Sequence, residues 1–151
     1  MPNPKSTAQI AGHPIHPMLV PFPIAFFVSA FLCDLAFWTS GNPGFATAAL
    51  WLLGAGLVMA ALAALMGGID LFSESQIRGL THAWMHAGGN VVAVLIQIFN
   101  FAIRYSEPTA AVVPTGIVLS LIVVAILLFT GWMGGALVYL HRVGVSDRPT
   151  E

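Results

Sequence analysis

Apolar residues run through this chain in four long blocks, about residues 18–38, 45–72, 82–103 and 112–140. Each is long enough to cross about 30 Å of hydrocarbon, which takes roughly 20 helical residues. The period-two alternation and regular turns of an outer-membrane barrel are missing, so strands are not expected. Polar punctuation separates the blocks: Ser40-Gly41-Asn42-Pro43-Gly44, then Ser73 to Gly79, then Arg104-Tyr105-Ser106-Glu107-Pro108. Short connections make successive helices antiparallel neighbours, which predicts an all-α, integral membrane, up-down four-helix bundle. The chain divides into a polar N-terminal segment (1–17), a four-helix transmembrane domain (18–141) and a C-terminal tail (142–151). The apolar run after Pro17 passes straight into a full-length span, so no cleaved signal is expected. No internal repeat is evident in the sequence.

Composition sharpens this picture. Of 151 residues, 58% are hydrophobic and 7% charged, with a mean hydropathy of +0.88. So few charges cannot cover the surface of a water-soluble domain, which carries about 25%. An ordinary soluble enzyme, a disordered chain and a nucleic-acid binder are all excluded, the last for want of a basic excess. The lipid bilayer is the partner that composition implies. Cys33 is the single cysteine, which excludes an internal disulfide and any CxxC metal site.

With four spans, both termini and the loop around residues 73–81 share one face, here side A. It carries Lys5, Arg78, Arg142 and Arg148, whereas side B carries only Arg104. The positive-inside rule then places both termini in the cytoplasm of a bacterial inner membrane.

All five histidines fall at side A. His13 and His16 precede the first span, His82 and His86 open the third, and His141 ends the fourth. Asp70 and Glu74 leave the second span at the same level, so every helix delivers a ligand or proton acceptor to one layer. Imidazole is the commonest metal ligand, and residues at i and i+4 present two nitrogens from one helix face. Three diglycines lie just beneath: Gly67-Gly68, Gly88-Gly89 and Gly134-Gly135. They form either a close-packed interface, common between membrane helices, or a slot for a flat, bulky group.

The third span carries one more pattern. His82, His86, Asn90, Gln97, Asn100 and Arg104 fall within an arc of about 80° at 100° per residue. Lipid cannot satisfy these groups, so the stripe faces the bundle interior. It reads as interhelical hydrogen bonding or as a polar relay, with a gap at Ala93. Near side B, Asp34 and Arg104 are expected to form an ion pair.

A b-type haem fits the histidine layer best. It needs histidines from different helices, an apolar slot and cations near its propionates, here Arg78 or Arg142. His82 and His86 share one helix face and cannot sandwich one haem, so each needs a partner from His13, His16 or His141. One or two haems are compatible with the sequence. The alternative is a non-haem Zn, Fe or Mn site built from His16, His82 and His86 with Asp70 or Glu74. A small transporter or a structural subunit of a membrane complex is a further reading, and a homo-oligomer is left open. No GxSxG, Walker A or HExxH motif marks a hydrolytic enzyme, so catalytic residues are not assigned.

The opening Gly12-His13-Pro14-Ile15-His16-Pro17-Met18-Leu19-Val20-Pro21-Phe22-Pro23-Ile24, with Asp34 further along the span, resembles the bacterial membrane family known as domain of unknown function 2231. The resemblance covers nearly the whole chain as a four-span pattern, and puts His13 and His16 at the family's signature. Some members of that family join this domain to a Rieske-type iron–sulfur domain. The resemblance therefore implies electron transfer, transmembrane or interfacial, with a separate redox partner for this chain.

Overall fold

The computed structural model describes residues 2–146. Arg148 lies outside the described residues. Residues Gln9–Ile10 (β1) and His13–Pro14 (β2) form a small antiparallel hairpin, turned at Ala11 and Gly12, which both have positive φ. Ile15–Leu19 (α1) runs directly into Pro21–Ser40 (α2). Val20 keeps helical angles between them, so the two make one span from Ile15 to Ser40, beginning three residues before the expected Met18. Pro21 and Pro23 lie in the first turn of α2, where a missing N–H costs least.

Gly41 ends α2 in a left-handed conformation, φ 69°. Asn42 then caps Pro43–Ser73 (α3), its side chain accepting from the Gly44 N–H at 2.9 Å, with Pro43 in the first turn. At the far end, Glu74 accepts from the Gln76 N–H and starts the short helix Ser75–Arg78 (α4). Thr81–Ser106 (α5) follows, then a kinked lead-in at Val112–Gly116, where Val113 leaves helical angles, and finally Ile117–Tyr139 (α6). Four helical stretches are thus long and apolar enough to cross a membrane: Ile15–Ser40, Pro43–Ser73, Thr81–Ser106 and Val112–Tyr139.

The helices pack as an all-α bundle. α2 packs most extensively on α3, and α5 on α6; α2 against α6 and α3 against α5 close the ring. That leaves α2 and α5 facing one another across a diagonal. Phe27, Ala30, Leu53, Ala60, Ala93 and Val123 form the central apolar core. Small residues let the backbones approach, as in other membrane bundles. A Cβ on Gly56 would come within 2.5 Å of the Phe27 ring, so the ring occupies the space that this glycine leaves.

Side A is closed by the termini. Asp70, buried at the end of α3, accepts from the backbone N–H of Thr7 (2.7 Å) and Ala8 (2.8 Å) on one oxygen, and from the Ser6 hydroxyl (2.8 Å) on the other. The Gly144 N–H donates to the Pro4 carbonyl at 2.8 Å, lacing the C-terminal turn to the same segment. The polar N-terminal segment is therefore strapped across the end of the bundle.

Candidate functional site

The histidine layer resolves into two pairs and one outlier. His16, in α1, lies against α3, and its Nδ1 is 2.8 Å from the Ala63 carbonyl oxygen. His86, in α5, lies against α6, and its Nδ1 is 2.8 Å from the Thr130 carbonyl oxygen. A carbonyl only accepts, so both rings carry their proton on Nδ1 and keep the Nε2 lone pair for another partner. The two rings meet across the bundle diagonal, with centroids 6.0 Å apart and planes at 88°. Around His86, Asn90 donates its amide to the His86 carbonyl at 2.8 Å and stands 3.4 Å from Nε2, too far for a strong bond.

Glycine makes these positions accessible. A Cβ on Gly67 would fall 2.8 Å from Nδ1 of His16, and one on Gly134 would fall 3.1 Å from Cε1 of His86. Each imidazole thus rests on helix backbone between a carbonyl acceptor and a glycine one turn further on. Both arrangements recur in metal-ligating histidines, whose second nitrogen is fixed by a hydrogen bond.

His82 and His141 form the other pair. Nε2 of His141 and Nδ1 of His82 are 3.2 Å apart, one donating to the other, with ring centroids at 4.9 Å. His13 is exposed in β2 and joins neither pair. The i,i+4 pair His82 and His86 is therefore split between different partners.

The family model for the predicted membrane protein DUF2231 matches residues 12–147. This chain belongs to that family. No curated protein and no solved structure matches it. The matched stretch of this DUF2231 chain opens at Gly12, so it takes in His13 and His16 as well as the four spans.

Several expectations need correction. The mixed set His16, His82, His86, Asp70 and Glu74 is not assembled, and no group of three or more His, Cys, Asp or Glu side chains able to hold a metal ion occurs among the described residues. The reason is local: Asp70 is occupied by the N-terminal strap, and Glu74 by its own helix start. The diglycines do not form one slot. Gly67 and Gly134 receive the histidines, and Gly89 receives Thr130, whose Cγ2 would lie 2.5 Å from an added Cβ. A Cβ on Gly68, Gly88 or Gly135 would meet nothing within 4 Å, and Gly135 opens on an outer groove with Gly131 and Tyr139. Arg78 is exposed and donates to the Phe72 carbonyl, and Arg142 is exposed beside His141.

The polar stripe of α5 is also divided. Ala93, in the central apolar core, stands between Asn90 and Gln97. Below it, Asp34 and Arg104 form a two-point ion pair and are both 0% exposed. Ser120 donates to Asp34 at 2.7 Å, and Arg104 Nε donates to the Asn100 side-chain oxygen at 2.8 Å. Asn100 in turn donates to Gln97 at 3.0 Å, while Gln97 Nε2 has no hydrogen-bond partner among the described residues. The interior is layered: histidines at side A, an apolar middle, and a buried ion-pair network toward side B.

Proposed function

We propose that this membrane protein binds one b-type haem through His16 and His86 and serves in electron transfer. The observation that carries the reading is the pair itself: imidazoles from opposite helices, each with Nδ1 committed to a carbonyl and the lone pair on Nε2, which at His86 has only the Asn90 amide beside it at 3.4 Å. Two protein ligands suffice for an iron that brings four porphyrin nitrogens, whereas a bare Zn or Fe ion takes three or four from the protein. The two rings meet across the bundle diagonal with centroids 6.0 Å apart, so one imidazole from each half would be available to hold a haem iron there. A haem held there would supply a one-electron couple.

The chain's own groups would do the rest. The Ala63 and Thr130 carbonyls hold the rings in one tautomer and raise the basicity of the free nitrogen. The apolar middle of the bundle keeps water from the site. Arg78 and Arg142 put positive charge at the same end, where propionates would face the interface. A separate redox partner would dock there. The excess of Lys5, Arg78 and Arg142 at side A supports cytoplasmic termini in a bacterial inner membrane.

A visible spectrum of the detergent-purified chain, expressed with ample haem supply, tests the reading. The expected result is a Soret band and, after dithionite, sharp α and β bands. His86→Ala is expected to lose them while keeping the helical far-ultraviolet dichroism. A colourless wild-type protein would overturn the assignment.

A further inference from the structure

The burial pattern of the bundle repeats. In α2 the buried residues are Pro23, Phe27, Ala30 and Asp34, and in α5 the positions seventy residues later, Ala93, Gln97, Asn100 and Arg104, are buried too. Half of the buried positions of α3 follow with a shift of sixty-seven: Ala49, Leu53, Gly56 and Ala63 correspond to Gly116, Ser120, Val123 and Thr130, whereas the counterparts of Ala46, Ala60, Asp70 and Leu71 are not buried. Met66-Gly67-Gly68 corresponds under the same shift to Met133-Gly134-Gly135. The packing obeys the exchange as well. Swapping the halves turns α2 on α3 into α5 on α6, and α2 on α6 into α5 on α3, which are the four principal interfaces.

Under this correspondence His16 is equivalent to His86, Ala63 to Thr130, Gly67 to Gly134 and Asp34 to Arg104. Residues that touch their own equivalents lie on a twofold axis. Two pairs do so: His16 with His86, and Asp34 with Arg104 eighteen residues further along each helix. The opposite charges at the second pair are the one place where the halves must differ, since two aspartates there would repel without water.

We propose that the chain is a duplicated helical hairpin whose ligand site is single and lies on its pseudo-twofold axis, with His16 and His86 as equivalent ligands held in near-perpendicular planes. This rests on the haem reading and deepens it. His82 and His141 are hydrogen-bonded to each other, and their counterparts under the two shifts, Gly12 and Glu74, are not histidines, so they form no second site. Crossed imidazole planes leave two iron d orbitals nearly degenerate, which gives a strongly anisotropic low-spin ferric signal with one very large g value. Parallel planes give a rhombic signal instead.

The test uses the full chain in detergent. Pyridine haemochrome is expected to give one haem per chain, and electron paramagnetic resonance one strongly anisotropic low-spin signal. His16→Ala and His86→Ala are each expected to abolish that signal, while His82→Ala and His141→Ala retain it. A rhombic signal would overturn the inference while leaving the haem reading intact; two haems per chain, or low-spin haem surviving in either of the first two variants, would overturn both. Protein that takes up no haem sinks the haem reading, and nitrogen-15 spectra of the histidine rings then decide the inference. Equivalent positions require the Nδ1–H tautomer at both His16 and His86; Nε2–H at either one overturns it.

Discussion

At the scale of single residues, the strongest interaction is the Asp34–Arg104 pair. Both are fully buried in the bundle, where an unpaired charge has no water to fall back on. Asp34→Ala is therefore expected to destabilise the protein by about 3–5 kcal/mol, because Arg104 remains buried without its counter-ion. Replacing both together, Asp34→Leu with Arg104→Met, is expected to recover much of that loss. Thermal unfolding of the two variants in detergent, against wild type, checks the order. An Asp34→Ala variant as stable as wild type would show that the network tolerates a bare guanidinium. Ser120, Asn100 and Gln97 extend the same network, so their contributions will not add independently.

At the scale of helices, the diglycines divide into functional and permissive positions. Gly67→Ala places a methyl group 2.8 Å from Nδ1 of His16 and forces the ring off its carbonyl. Gly68→Ala meets nothing and gains helix propensity of up to about 1 kcal/mol. The two neighbouring substitutions are thus expected to move stability in opposite directions, the first lower by roughly 1–3 kcal/mol. Denaturation midpoints of the pair measure this directly, and equal midpoints would show that His16 has room to move. His16 reaches the Ala63 carbonyl from the short helix α1, which Val20 joins to α2 in one span.

At the scale of the whole molecule, the layers set what the bundle can do. An apolar middle containing Phe27, Ala93 and Val123 separates the histidine end from the ion-pair end. The stripe of polar residues on α5 is therefore two local networks rather than one path. Orientation belongs to this scale too. For the proposed orientation, with both termini cytoplasmic, a C-terminal green fluorescent protein fusion is expected to fluoresce and a C-terminal alkaline phosphatase fusion to be inactive. The reverse pattern would refute the proposed orientation and move the histidine site to the outer face.

The sequence by itself determined the membrane-spanning helical bundle, its turns, its antiparallel order and the gathering of histidines at one end. These follow from local quantities: run length, hydrophobicity, Gly and Pro placement, and helix parity. The Asp34–Arg104 pair was legible because two opposite charges at one depth in lipid have few alternatives. Tertiary structure alone decided which histidines meet. Rotation about each helix axis fixes that choice, and nearly uniform apolar faces leave rotation undetermined in the sequence. Asp70 looked like a ligand and is instead the anchor of the N-terminal strap, a contact across more than sixty residues that no local pattern announces. The duplication was hidden for a related reason. Apart from the histidine and the Met-Gly-Gly segment, the halves share buried positions rather than the residues that fill them, so Phe27 stands where Gln97 stands and aspartate where arginine does. Burial is a property of the fold, and only the fold exposes the repeat.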